Sequence, residues 1–128
     1  MAVEMNELAW TKRIWAFLNE QHPDYGLRLG RERQVWDKTR VDILTDQLAI
    51  EVDWAYKHWE AIGQAIWYAH NFERKPGVCL LSSDFIDDSK HIYRCEVNCI
   101  SQDIALWLVD TTKNVILIAG QHYALPEI

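Results

Sequence analysis

Four acidic residues and one lysine raise the question of chemistry in this chain. Asp42, Glu51 and Asp53 lie within RVDILTDQLAIEVD, a stretch otherwise rich in valine, isoleucine and leucine, and Lys57 follows close behind. Side chains alternate along a strand, so Glu51 and Asp53 share one face while Ile50, Val52 and Trp54 share the other. Asp42 sits across a short turn on the partner strand, where its carboxylate can converge with that pair. Packed carboxylates repel one another, and their charged forms are favoured when a cation lies between them. Mg²⁺ suits this arrangement, because it takes oxygen ligands and is usually held by one or two carboxylates plus a substrate phosphate. The plainer alternative, residue by residue, is the solvated face of an amphipathic sheet.

The elements that must position these groups can be read from pattern. Glu4 to Gln21 is helical, with Trp10, Ile14, Phe17 and Leu18 on one arc at ~100° per residue and Pro23 ending it. Glu7 falls within that apolar arc, where a carboxylate is costly without a partner, whereas Glu20 faces solvent. Leu27 to Trp36 reads as a strand of irregular start. Val41 to Leu44 and Leu48 to Trp54 read as a hairpin across Thr45-Asp46-Gln47. A helix spans about Tyr56 to Arg74, ended by Pro76-Gly77, and is followed by a short strand from Val78 to Leu81. On this helix Lys57, Glu60, Gln64, Tyr68 and Asn71 form a polar stripe, and Trp59, Ile62, Ile66 and Ala69 an apolar one. Asp87, Asp88 and Ser89 cap a further helix reaching about Ile100, strands Ala105 to Val109 and Val115 to Ala119 follow, and Tyr123 to Ile128 reads as a tail.

Composition sets the frame for these elements. A chain of 128 residues, 49% hydrophobic and 25% charged, is one domain over its whole length, with enough apolar residues for a core that needs no staples. Seven tryptophans exceed what this length leads one to expect and point to a well-packed core or a partner surface. A net charge of −6 excludes a generally basic nucleic-acid coat but leaves room for a local one. Arg28, Arg31, Arg33, Lys38 and Arg40 supply such a run against Glu32 and Asp37. The odd set Cys79, Cys95 and Cys99, with no leader and no membrane-spanning run, leads to the expectation of a cytoplasmic protein with ordinary core cysteines, not a Cys95–Cys99–His91 metal site.

Taken together, Asp42 on the second strand, Glu51 on the third, Glu7 on the first helix, and Gln64 and Tyr68 in GQAIWY resemble the PD-(D/E)XK nuclease superfamily. RVDILTDQLAIEVD followed by KHWEAIGQAIWYA is similar to a group of small phage and bacterial proteins related to it, and the resemblance covers about residues 4 to 82. It implies a mixed α/β (α+β) fold: a restriction-endonuclease-like α-β-β-β-α-β core whose mixed central sheet is flanked by helices, here extended by a C-terminal helix and hairpin.

The resemblance further implies hydrolysis of DNA phosphodiesters assisted by Mg²⁺ or Mn²⁺. Asp42, Glu51, Glu7 and Asp53 are the implied metal ligands. Lys57 and Gln64 join Asp42, Glu51 and Glu7 in catalysis. Arg28, Arg31, Arg33, Arg40 and Tyr68 would contact nucleic acid, and association as a homodimer is a further expectation. The chain departs from the family motif at Asp53, which stands where the motif has lysine. Three readings of that departure stay open: Lys57 reaching the vacant place from the next helix, which is preferred; Asp53 serving as an additional metal ligand; and loss of catalysis, leaving a fold that binds nucleic acid or a protein.

Overall fold

A computed structural model describes residues 6–21, 30–34, 36–37 and 39–127. Helix α1 (Glu7–Gln21) leads into strands β1 (Gly30–Gln34), β2 (Arg40–Leu44) and β3 (Leu48–Trp54). A 3₁₀ turn (Ala55–Lys57) opens helix α2 (His58–Phe72), which is followed by β4 (Lys75–Ser82), helix α3 (Ser89–Ser101) and strands β5 (Ala105–Asp110), β6 (Val115–Ile118) and β7 (Gln121–Ala124). All seven strands form one sheet in chain order. β1, β2 and β3 run antiparallel, β3, β4 and β5 run parallel, and β5, β6 and β7 form an antiparallel meander. The expected mixed α/β architecture is therefore present. No described helix is long and apolar enough to cross a membrane.

Two apolar layers sandwich the sheet. On one face Trp10, Ile14, Phe17 and Leu18 of α1 meet Ile50, Val52, Cys79, Leu81, Trp107 and Val109. On the other, Ala61, Ile62 and Ala65 of α2 and Ile92, Cys95 and Cys99 of α3 cover Val78 and Leu80. The alternation Val78/Leu80 against Cys79/Leu81 is what a strand buried on both faces requires. All three cysteines are buried free thiols, as expected of core residues.

Several boundaries differ from the sequence reading, each for an identifiable reason. α1 begins at Glu7 because the Asn6 carboxamide oxygen accepts the Ala9 N–H at 2.9 Å. The core face of α2 is rotated from the expected stripe: Ala61, Ala65 and Ala69 let the helix lie close to the parallel strands, while Trp59 and Ile66 are exposed. α2 ends at Phe72, just short of the expected Arg74, and Pro76-Gly77 is not what stops it. It ends when Glu73 turns left-handed at φ 56°, with Arg74 N–H donating to Ala69 O at 2.8 Å and Glu73 N–H to His70 O at 3.4 Å, a Schellman cap. Pro76 and Gly77 instead belong to β4, where a Cβ at Gly77 would come within 3.1 Å of both Ile50 and Trp107. Asp88 precedes α3, yet its carboxylate accepts from Ser82 Oγ at 2.7 Å and does not cap the helix. The presumed tail contains β7, joined to β6 through Ala119 and Gly120, both at positive φ as a two-residue hairpin turn demands.

Glu73 carries a Cβ where glycine is the favoured residue. Glu73→Gly should therefore stabilise the fold by about 1 kcal/mol, read as a higher urea midpoint at unchanged slope.

Candidate active site

The β2–β3 ladder is paired at Leu44↔Ala49 and Ile43↔Ile50 and then stops. The turn below it is firm, because Thr45 Oγ1 accepts the Gln47 and Leu48 N–H groups at 3.1 and 2.8 Å. Above Ile43 the strands part, and carboxylates take over from carbonyls. Glu51 Oε2 accepts the Asp42 N–H at 2.8 Å, while Asp42 Oδ2 accepts the Val52 N–H at 2.8 Å. Each acid thus satisfies a backbone donor on the opposite strand, which an open sheet interior would otherwise leave unpaired. Val41 packs with Leu44, Ala49 and Tyr68 while Ile43 joins the α1 core, so the simple alternation of β2 is lost at Asp42.

The opening admits a residue from the far layer. Glu7, in the first turn of α1, hydrogen-bonds Asp53 at the carboxyl end of β3. Burial, chiefly, and then the Asp53 and Asp42 charges push the Glu7 carboxyl up to about 7. Burial followed by the Asp42 charge pushes Glu51, only 4% exposed, up to about 9. Asp53, 7% exposed, is also raised by burial, against opposing pulls from the Trp54 N–H and Lys57. The Glu7–Asp53 contact raises the glutamate and lowers the aspartate, and the contact with Asp42 raises Glu51. The cluster is two glutamate–aspartate couples, Glu7 with Asp53 and Glu51 with Asp42.

The four acids named from the sequence are therefore drawn together from α1, β2 and β3. Lys57 lies at the edge of the cluster, where its charge favours ionised Glu7 and Asp53, and its ammonium stands 5.8 Å from the Tyr56 ring. Tyr68 is buried against Val41 and Ala49, not displayed on an open stripe; it hydrogen-bonds Thr39 and senses the charges of Glu51, Asp37 and Asp42. Gln64 is exposed on α2. Arg40 is exposed at the start of β2, Arg31 and Arg33 occupy β1 positions paired with Ile43 and Val41, and Arg28 lies outside the described residues.

Two charged residues did not stand out as site candidates in the sequence: Glu60 of the polar stripe, whose charge reaches Asp53, and Asp37 of the arginine-rich run, whose charge reaches Tyr68. The spacing of Glu60 from Lys57, one helical turn, was the available signal for the first. Nothing local marked the second.

The donor set is all oxygen and hard, which suits Mg²⁺ or Mn²⁺. Among the described residues no three His, Cys, Asp or Glu side chains are already gathered in a geometry that could hold a metal ion. A divalent cation entering between the pairs would have to displace bound protons, as metal binding to protonated ligands does.

These shifts fix a pH dependence. Unfolded, Glu51 loses its proton near its ordinary 4.5; folded, it keeps the proton until about 9, so the folded state binds the extra proton between those values. Stability of the metal-free protein should then fall as pH rises through that window. Glu51→Gln should flatten the decline and raise Tm at its alkaline end, a comparison made by thermal melts in chelator; parallel curves would contradict it. The chain matches none of the family models, curated proteins or solved structures with which it was compared.

Proposed function

We propose that this protein is a metal-dependent nuclease that hydrolyses DNA phosphodiester bonds on a restriction-endonuclease-like core. The observation that carries the reading is the carboxylate clasp at the fork of β2 and β3, where Glu51 accepts the Asp42 N–H and Asp42 accepts the Val52 N–H, with Glu7, Asp53 and the charge of Lys57 close by. The order of α1, three antiparallel strands, α2 and a fourth strand parallel to β3 supports it. So does the location of the cluster at the carboxyl end of β3, where open α/β sheets commonly bind ligands.

A bound Mg²⁺ or Mn²⁺ would lower the pKa of a coordinated water and clamp the phosphate. Asp42 and Glu51, already fixed by backbone N–H groups, would hold it, with Glu7 and Asp53 completing or tuning the set. Lys57 would offset charge growing on the phosphate, taking over what Asp53 cannot do, and Gln64 would position the ammonium or the phosphate. Arg40, with Arg28, Arg31 and Arg33, would contact neighbouring phosphates in a sequence-independent, salt-sensitive way. Tyr68 would act from beneath, by orienting the acids.

A second reading, a nucleic-acid- or protein-binding module without catalysis, is favoured by the clasp itself, since Asp42 and Glu51 each already serve a backbone donor. Supercoiled, linear, single-stranded and branched DNA incubated with Mg²⁺ or Mn²⁺ separates the two. The nuclease reading expects cleavage that a chelator abolishes, that falls on the order of 100-fold or more in Asp42→Asn or Glu51→Gln, and that weakens in Lys57→Ala. No cleavage of any substrate, with binding intact in those variants, would leave the binding module.

A further inference from the structure

Two histidines take no part in the acid cluster. His58 opens α2 where the chain leaves the carboxyl end of β3, and His91 stands in the first turn of α3, which follows β4. β3 and β4 run parallel, so both imidazoles belong to connections at the carboxyl ends of the parallel strands. The rings are neighbours, with centroids 5.5 Å apart and planes inclined at 48°. His58 is 1% exposed and His91 half-buried.

Each ring keeps one nitrogen away from solvent with nothing to bond. The Ala55 carbonyl oxygen lies 3.0 Å from His58 Nδ1; a carbonyl only accepts, so Nδ1 carries the proton and Nε2 is a bare lone pair. Among the described residues neither His58 Nε2 nor His91 Nδ1 has a hydrogen-bond partner. Buried polar atoms in that condition are uncommon and call for an occupant. Protonation does not relieve His58, because burial, and then the charges of His91 and Arg94, pull its pKa below the ordinary value against the Ala55 bond.

An imidazole tied by one N–H to a backbone carbonyl, with its other nitrogen bare, is oriented as a metal ligand is. The spacing agrees: with metal–nitrogen bonds of about 2.0–2.1 Å, two imidazoles on one tetrahedral ion have ring centres about 5 Å apart. Imidazole suits Zn²⁺ and its transition-metal neighbours, whereas the carboxylates of the acid cluster suit Mg²⁺ or Mn²⁺. Arg94 bears on the choice of occupant, since its charge would favour an anion. An anion, however, needs a donated proton, and His58 Nε2 has none to give. Cys95 and Cys99 stay in the core with their sulfurs 3.8 Å apart, and among the described residues no third His, Cys, Asp or Glu completes a set.

We propose that His58 Nε2 and His91 Nδ1 bind one divalent transition-metal ion of the Zn²⁺ class, with water at its remaining positions, tying the start of α2 to the start of α3. The site shares no residue with the acid cluster, and it stands or falls independently of the nuclease reading.

The test uses the full chain in excess Mg²⁺, with Zn²⁺ and Co²⁺ as probes. Calorimetry should show one Zn²⁺ bound per chain, and Co²⁺ should give the intense visible bands of a four-coordinate ion. Zn²⁺ should shift the ¹⁵N resonances of His58 Nε2 and His91 Nδ1 while His58 Nδ1 keeps its proton. His91→Gln, at a half-buried position, should weaken binding on the order of tenfold or more without lowering the metal-free melting temperature. His58→Gln should weaken it as much, and Glu51→Gln should leave it unchanged. No bound Zn²⁺, competition by Mg²⁺, loss of binding in Glu51→Gln, or full affinity in His91→Gln would overturn the proposal. So would inorganic phosphate, and not Zn²⁺, shifting the two imidazole nitrogens.

Discussion

Two backbone N–H groups at the fork of β2 and β3 are met by carboxylate oxygens, and most of what is unusual in this molecule follows from that exchange. Had the ladder continued past Ile43↔Ile50, Asp42 and Glu51 would face each other across an ordinary strand pair and the interior would be sealed. Because it stops, Asp42 and Glu51 must stay where they are to satisfy the Val52 and Asp42 N–H groups. The same gap gives Glu7 of α1 a route to Asp53. An unpaired backbone donor costs roughly 1–3 kcal/mol when buried, so the clasp has a structural function whatever chemistry it also performs.

Charge is the price of this arrangement, and the molecule limits it by protonation. Isolated ionised carboxylates in such surroundings would cost several kcal/mol each, and a group can avoid that by staying neutral. Burial raises the Glu7 and Glu51 carboxyls toward their neutral forms, while the Lys57 charge favours ionised Glu7 and Asp53 from the start of α2.

Much of this was legible in the sequence because it depends on periodicity. The α1 arc of Trp10, Ile14, Phe17 and Leu18 is buried as the helical period implies, and Val41 to Leu44 and Leu48 to Trp54 pair across the Thr45 turn. Strand alternation set Glu51 and Asp53 on one face with Asp42 across the turn, and the helix wheel set Glu7 on a buried arc; only the family resemblance joined Glu7 to the other three. What could not be read depends on tertiary fit. The face of α2 is chosen by three alanines that allow a close approach, against a periodicity that had enlisted Trp59 and Ile66. Gly77 reads as a breaker locally but is there to make room for Ile50 and Trp107. Glu73 and Ala119 adopt left-handed conformations without the glycine that would announce a helix end or a hairpin turn.

The register of the sheet also separates the acids in time. Asp42 and Glu51 are linked by a tight hairpin, a local structure that closes on the scale of microseconds. Their cover comes later, since β4 reaches β3 only after α2 has crossed over, and β5 waits on α3 in the same way. During folding the clasp can therefore form in water, with its carboxylates solvated and ionised. Burial under the closing helices is then what raises the Glu7 and Glu51 carboxyls. Proton uptake would mark the last stage of folding, and it would report the closing of the helical layers over a hairpin already made.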